Sequence, residues 1–305
     1  MLRKLLLGSV ALAVLAGAAF WFLTRPEGIG SSALAAVGSG DATRGERIFW
    51  AGGCASCHAR PEAEGERLLE LSGGLELETA FGTFVAPNIS PDPAHGIGEW
   101  DENDFVNAML YGVSPGGEHY YPAFPYPSYA RMETQDVLDL FAYLKTLPPV
   151  AEETAPHRLS FPYTMRRGIG LWKLIYMQEE PVVELPANAP EAVLRGRYLV
   201  EGPGHCGECH TPRSLAGGLQ FERWLAGAPA LEGEGRVPNI TPSGAGIGAW
   251  SVADITYYLE SGFTPDFDSV GGAMVAVQKN MARLPEEDRA AIAAYLKAVP
   301  EVEGE

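Results

Sequence analysis

The sequence predicts an all-α fold, with two tandem copies of one small helical domain behind an N-terminal transmembrane helix. Three observations predict it. Short motifs recur at an interval of about 150 residues, as an internal duplication requires. Apolar residues near the end of each copy fall at helical spacing. No convincing strand alternation appears in the 305 residues.

The first element is the N-terminal segment, residues 1–26. Arg3 and Lys4 precede an apolar run from Leu5 to Leu23, long enough to cross a hydrocarbon core of roughly 30 Å. A secretory signal has a shorter apolar region of about 7–15 residues before a small-residue cleavage site. Here the run ends in Phe20-Trp21-Phe22-Leu23, and aromatics suit a membrane interface. The segment therefore reads as an uncleaved anchor. A cleaved signal ending near Ala33-Leu34-Ala35 is the alternative. Arg3 and Lys4 stay cytoplasmic by the positive-inside rule, which places everything after Arg25 on the periplasmic side of the inner membrane. Residues 27–40, rich in Gly, Ser and Ala, read as a flexible tether.

The first domain spans 41–150 and the second 190–305. Pro87-Asn88-Ile89-Ser90-Pro91 recurs as Pro238-Asn239-Ile240-Thr241-Pro242, and Gly96-Ile97-Gly98-Glu99-Trp100 as Gly246-Ile247-Gly248-Ala249-Trp250. Ala142-Tyr143-Leu144-Lys145 is identical to Ala294-Tyr295-Leu296-Lys297. Each copy opens with a helix, from Asp41 to Ala51 and from Pro190 to Val200, with Asp41 a suitable N-cap. Gly45 and Gly196 sit inside these helices, where Gly costs about 1 kcal/mol against Ala. Close contact with another helix would justify that cost. A middle helix begins near Asp101 and Ser251. A last helix runs from Thr134 to Leu147 and from Pro285 to Val299, with apolar faces Val137, Leu140, Phe141, Leu144 and Ile292, Tyr295, Leu296, Val299. Between the copies, residues 151–189 carry Phe161-Pro162-Tyr163 and Gly170 to Tyr176. This connector is too apolar for a free linker. It is expected to pack across both domains. A docking patch for a partner or the membrane is the other use for such a stretch.

All four cysteines lie in two copies of one pattern, Cys54-Ala55-Ser56-Cys57-His58 and Cys206-Gly207-Glu208-Cys209-His210. Cys-x-x-Cys-His is the attachment signature of a c-type haem. Two thiols add to the porphyrin vinyl groups, and the adjacent histidine meets the iron from the proximal side. A zinc ribbon needs its cysteine pairs about 15–20 residues apart, far closer than these. A thioredoxin-type motif needs a βαβ context that is missing. The cofactors are therefore two covalently bound haem c groups. They are held by Cys54, Cys57 and His58 in one copy and by Cys206, Cys209 and His210 in the other.

The net charge of −17 excludes the usual nucleic-acid binder, which needs a basic face to neutralise phosphates. It favours a partner with a basic docking patch, reached at a rate that falls with salt. No catalytic acid–base pair or nucleophile motif stands out.

Together the Cys-x-x-Cys-His, Pro-Asn-Ile-Thr-Pro, Gly-Ile-Gly-x-Trp and Tyr121-Pro122-Ala123-Phe124-Pro125-Tyr126 elements resemble two class I cytochrome c domains. More narrowly, the chain is similar to the cytochrome subunits of bacterial membrane-bound alcohol, gluconate and fructose dehydrogenases. Those subunits usually carry three haems, and this chain has two motifs. The resemblance implies that the carbonyls of Pro87 and Pro238 receive the proximal imidazole N–H groups, fixing tautomer and ring orientation. It also implies a distal methionine on the loop before the last helix. Met274 occupies that place and is expected to ligate the second haem, whereas Met281 reads as core filler. In the first copy the aligned residue is Phe124, whose ring cannot coordinate iron. His119, Met132 or an open or water-filled site are the alternatives for the first haem. Methionine ligation raises a haem potential relative to two imidazoles, so electrons are expected to run from the first haem to the second.

The functional expectation is a membrane-tethered dihaem cytochrome. It takes electrons from a dehydrogenase or other donor and passes them to an oxidase, another cytochrome or a similar respiratory acceptor. The competing expectation is a haem enzyme, peroxidase-like or acting on small molecules, with an open first haem and the second as relay.

Overall fold

In the computed structural model residues 2–230 and 235–303 are described. Residue 1, residues 231–234 and residues 304–305 belong to the N-terminal segment and the second domain as bounded from the sequence, and lie outside the described residues.

Helix α1 (Leu2–Leu23) is apolar, long enough to cross a membrane, and buries no residue. The chain then turns back onto the first half. Residues 27–40, expected as a flexible tether, are docked. The Ile29 amide donates to Asn107 Oδ1 at 2.8 Å, and Asn103 Nδ2 donates to the Ile29 carbonyl at 3.0 Å. Short helix α2 (Ser31–Leu34) buries Leu34 in the core. Composition hid this, because two apolar anchors among small residues are enough to hold such a strand of chain.

The first half continues through α3 (Ala42–Ala51), α4 (Cys54–His58), a hairpin of β1 (Glu76–Thr79) and β2 (Gly82–Val85), α5 (Glu102–Tyr111), α6 (Tyr126–Tyr129) and α7 (Thr134–Leu144). The connector supplies β3 (Arg158–Leu159), which pairs antiparallel with β2, and α8 (Ile169–Tyr176). The second half contains α9 (Glu191–Glu201), α10 (Gly207–His210), β4 (Ala228–Pro229), β5 (Arg236–Val237), α11 (Val252–Ser261), α12 (Met274–Met281) and α13 (Glu286–Leu296). The expected all-α chain is found mostly helical, and among the described residues it also carries two small antiparallel sheets. Strands of two to four residues are too short to show a period of two against background.

Asp41 caps α3 by accepting from the amides of Thr43 and Arg44. Helices α5 and α11 both open with a capping box, Asp101 with Asp104 and Ser251 with Asp254. Both end on a left-handed glycine, Gly112 and Gly262, where a side chain would clash with the backbone.

Each half is built on one helix crossing, α3 on α7 and α9 on α13. At Gly45 a Cβ would stand 1.9 Å from the Asp139 carbonyl oxygen, and at Gly196 1.9 Å from that of Ala291. Only glycine lets the backbones approach so closely, which is why both opening helices accept its conformational cost. Around the crossings lie Phe49, Val137, Leu138, Leu199, Ile292 and Tyr295, all buried. Each large apolar side chain so buried contributes about 1.5–3 kcal/mol.

Candidate haem-attachment sites

The two Cys-x-x-Cys-His segments form matching helical turns, α4 and α10. His58 Nδ1 donates to the Pro87 carbonyl at 2.8 Å, and His210 Nδ1 donates to the Pro238 carbonyl at 2.8 Å. Both bonds are the ones that the resemblance implies. With Nδ1 so engaged, Nε2 is the nitrogen each ring presents to a metal. Burial holds both imidazoles below their ordinary range against the opposing pull of the proline carbonyls. They are therefore neutral at pH 7, the form that ligates iron.

Further bonds hold each turn in register with its loop. The Gly73 amide donates to the His58 carbonyl at 2.7 Å, and the Gly227 amide to the His210 carbonyl at 2.7 Å. Asn88 and Asn239, beside the acceptor prolines, brace them from behind. Asn88 Oδ1 accepts from the Ser90 amide at 2.9 Å while its Nδ2 donates to the Val150 carbonyl at 2.7 Å. Asn239 repeats this with the Thr241 amide and the Val302 carbonyl, both at 2.8 Å. Lys145 and Lys297 staple the Gly-Ile-Gly-x-Trp loops by donating to the Gly98 and Gly248 carbonyls at 2.5 and 2.9 Å. The recurrence of Pro-Asn-Ile and of Ala-Tyr-Leu-Lys marked these residues in the sequence, but only the folded chain shows what they hold.

The chemistry of the donors fits a covalently attached haem better than a redox dithiol. Burial pushes the Cys54 and Cys206 thiols up to about 12, with the second cysteine of each pair adding to the rise. A thiol–disulfide catalyst needs a thiolate near neutral pH, hence the opposite shift. Cys57 and Cys209 stand one helical turn on from Cys54 and Cys206. Two thiols and an oriented imidazole on one turn are the donors that haem attachment requires. Among the described residues no three His, Cys, Asp or Glu side chains converge as a zinc cluster would need.

The distal candidates are placed differently. Met274 opens α12 and is half-buried against the core. Phe124 is also half-buried, with its ring against Tyr120, Tyr126 and Tyr129. Met132 and Met281 lie in the core. His119 is buried, and its Nε2 donates to the Thr24 carbonyl at 2.8 Å, just past α1, leaving Nδ1 as its remaining nitrogen.

The halves meet in pairs of corresponding contacts. Ser128 in α6 donates to Glu208 inside the second motif at 2.7 Å, and Asn280 in α12 donates to Ser56 inside the first at 2.6 Å. Arg47 in α3 donates to Asp288 in α13, and Tyr198 in α9 donates to Asp136 in α7. His205 Nε2, immediately before Cys206, donates to the Gly52 carbonyl at 3.2 Å, two residues before Cys54. The two attachment segments therefore abut. The connector holds this arrangement. Trp172 Nε1 donates to the Ala216 carbonyl at 2.9 Å, while Lys173 Nζ donates to the carbonyls of Tyr111 and Gly112 at 2.5 and 2.9 Å.

A family model for cytochrome c matches residues 42–148. The chain is 56% identical over 302 residues to a diheme cytochrome c-type protein of Cereibacter sphaeroides, covering 99% of this chain and 100% of that one. It is 35% identical over 277 residues to the cytochrome c subunit of a quinone-type alcohol dehydrogenase of Gluconobacter oxydans, covering 85% of this chain and 55% of that subunit. It is also 35% identical over 260 residues to the fructose dehydrogenase cytochrome subunit of Gluconobacter japonicus, covering 85% and 52%. The chain thus spans about half the length of these dehydrogenase subunits.

Proposed function

The chain belongs to the cytochrome c family as a dihaem member with two covalently bound haem c groups, and on that premise we propose that it is a membrane-anchored electron carrier. Helix α1 anchors it in the inner membrane, and both haem domains face the periplasm. It takes electrons from a dehydrogenase or other donor and delivers them to a respiratory acceptor. Kinship with dehydrogenase cytochrome subunits supports the donor. The order of basic and apolar residues in α1 supports the orientation.

In this reading 41–150 and 190–305 are tandem domains of common origin. Their matched caps, helix crossings and motif contacts support it. Cys54 and Cys57 hold one haem and Cys206 and Cys209 the other, with His58 and His210 as proximal ligands and Met274 as the distal ligand of the second. When bound, the haems supply one-electron redox chemistry at their irons. The chain's own part is to fix each imidazole, brace the proline carbonyl behind it and hold the two attachment segments against each other. The observation that carries the reading is the pair of Nδ1–carbonyl bonds at 2.8 Å, one in each half. Haem content of the full chain tests it. Two haems per chain are expected, falling to one in Cys206→Ser/Cys209→Ser. An unchanged count in that variant would overturn the assignment.

Phe124 favours a second reading, since it stands where the second half has Met274. With no methionine there, the first site is open to small ligands and serves a haem enzyme. Carbon monoxide binding to one haem of the reduced protein would support that reading, and binding to neither would end it.

A further inference from the structure

Helix α8 has two unlike faces. At 100° per residue, Gly170, Trp172, Lys173 and Tyr176 share one side and Leu171, Leu174 and Ile175 the other. The first side is occupied. Lys173 reaches the end of α5, Trp172 reaches Ala216, the Tyr176 ring lies against Gly218, and Gly170 packs on Thr24. The second side is bare, with Leu171 40%, Leu174 63% and Ile175 68% exposed. Just upstream Phe161 is 79% and Met165 57% exposed. An apolar patch of this kind marks an interaction surface.

The patch is continuous with the end of α1. Arg167 Nε donates to Thr24 Oγ1 at 2.9 Å and its Nη2 to the Trp21 carbonyl at 2.5 Å, with the guanidinium 4.2 Å from the Trp21 ring centroid. A helix of eight residues is only about 12 Å long. All of α8 therefore stays close to where α1 ends. From Phe161 to Tyr176 the chain carries Arg166 and Arg167 just before α8 and no acid, with Lys173 turned to the occupied face, although the whole protein has a net charge of −17. Apolar residues flanked by cations are the composition of a helix lying in a membrane interface.

We propose that the Leu171–Leu174–Ile175 face of α8 rests in the outer surface of the bilayer that α1 crosses. It would fix the orientation of both halves to the membrane, because the opposite face of α8 grips both. The proposal rests on the reading of α1 as an anchor. It is tested with the full holoprotein in vesicles of phosphatidylcholine and phosphatidylglycerol doped with a phospholipid bearing a photoreactive group on its acyl chain. After irradiation and digestion, lipid adducts are expected on both α1 and Leu171–Ile175. In Leu174→Glu/Ile175→Glu the α8 adducts should drop several-fold while those on α1 persist. Adducts on α1 alone in the parent protein would overturn the proposal and leave the anchor standing. That is also the result if a second copy or another protein covers the face. No adducts on α1 would overturn the anchor reading itself.

Discussion

The hydroxyl of Ser128 donates to the buried carboxylate of Glu208 at 2.7 Å, joining the short helix before the last helix of one half to the Cys-x-x-Cys-His turn of the other. The corresponding contact, Asn280 to Ser56, is 2.6 Å long and joins two neutral groups. Glu208 is further held by Arg213 at 2.5 Å. A hydrogen bond to a charged group is worth about 1.5–3 kcal/mol and one between neutral groups about 0.5–1.5. The two sides of the interface are alike in position and unlike in strength.

Ser128→Ala should accordingly destabilise the holoprotein by about 2 kcal/mol and Asn280→Ala by about 1. Asn280 also donates to the Ala276 carbonyl at 2.8 Å, a bond local to its own helix. Denaturant unfolding of the full chain in detergent measures both. A larger loss in Asn280→Ala would show that the charge on Glu208 does not set the strength of its contact.

Asp288 offers a sharper test. Its side chain is fully buried and bound by Arg47 from the other half and by Arg195 at 2.9 Å. Burial works to raise its carboxyl, but the hydrogen bonds and charges of Arg47 and Arg195 outweigh this and hold it below its ordinary range. A carboxyl so depressed adds stability that is full above its unfolded value of about 3.9 and is lost as pH falls through the folded value. Asp288→Asn should cost about 3 kcal/mol at pH 7, the low end for a broken buried pair, because the two arginines keep 38% and 33% of their side-chain surface exposed. The gap between variant and parent should narrow below about pH 4. A gap that held constant in acid would contradict the role given to the charge.

Much of this was legible in the sequence, for reasons that differ by residue. Cys54, Cys57 and His58 are local in sequence, so one turn of chain declares them. Gly45 and Gly196 announced a close helix crossing through their cost. The Ser128–Glu208 and Arg47–Asp288 contacts were not legible, because each joins residues far apart in sequence and only the docking of the halves creates them. The connector was readable as too apolar to be free. Its division into a gripping face and a bare face depends on where α5 and the 214–218 turn come to lie.

Lys173 carries the clearest pH signature. Burial lowers its ammonium group to about 7. The unfolded value is about 10.4, so between the two the unfolded chain binds more protons than the folded one, and stability rises with pH. Lys173→Met should flatten that rise, removing at most about 1.4 kcal/mol per pH unit. Near pH 7 the variant should be nearly neutral, since the relief from burying an amine offsets the lost bonds to Tyr111 and Gly112. Thermal unfolding from pH 7 to 9 measures this, and an unchanged slope would refute it.

The two candidate distal positions can be exchanged. Phe124 and Met274 align between the halves, and both are half-buried against apolar neighbours. Methionine is flexible enough to fill the space of a phenyl ring at a cost of about 1 kcal/mol, so Phe124→Met should fold and present a thioether where the first half has none. Thioether ligation raises a haem potential, and axial ligands span about 0.8 V across haem proteins. Potentiometry of the parent should show two separated potentials. Phe124→Met should raise the lower one, and Met274→His should lower the higher one, so the gap narrows from opposite sides in the two variants. Magnetic circular dichroism should gain a thioether–iron signature in the first variant and lose one in the second. Two equal potentials in the parent, or potentials that neither variant moves, would overturn the proposed ligation by Met274 and with it the expected flow of electrons toward the second half.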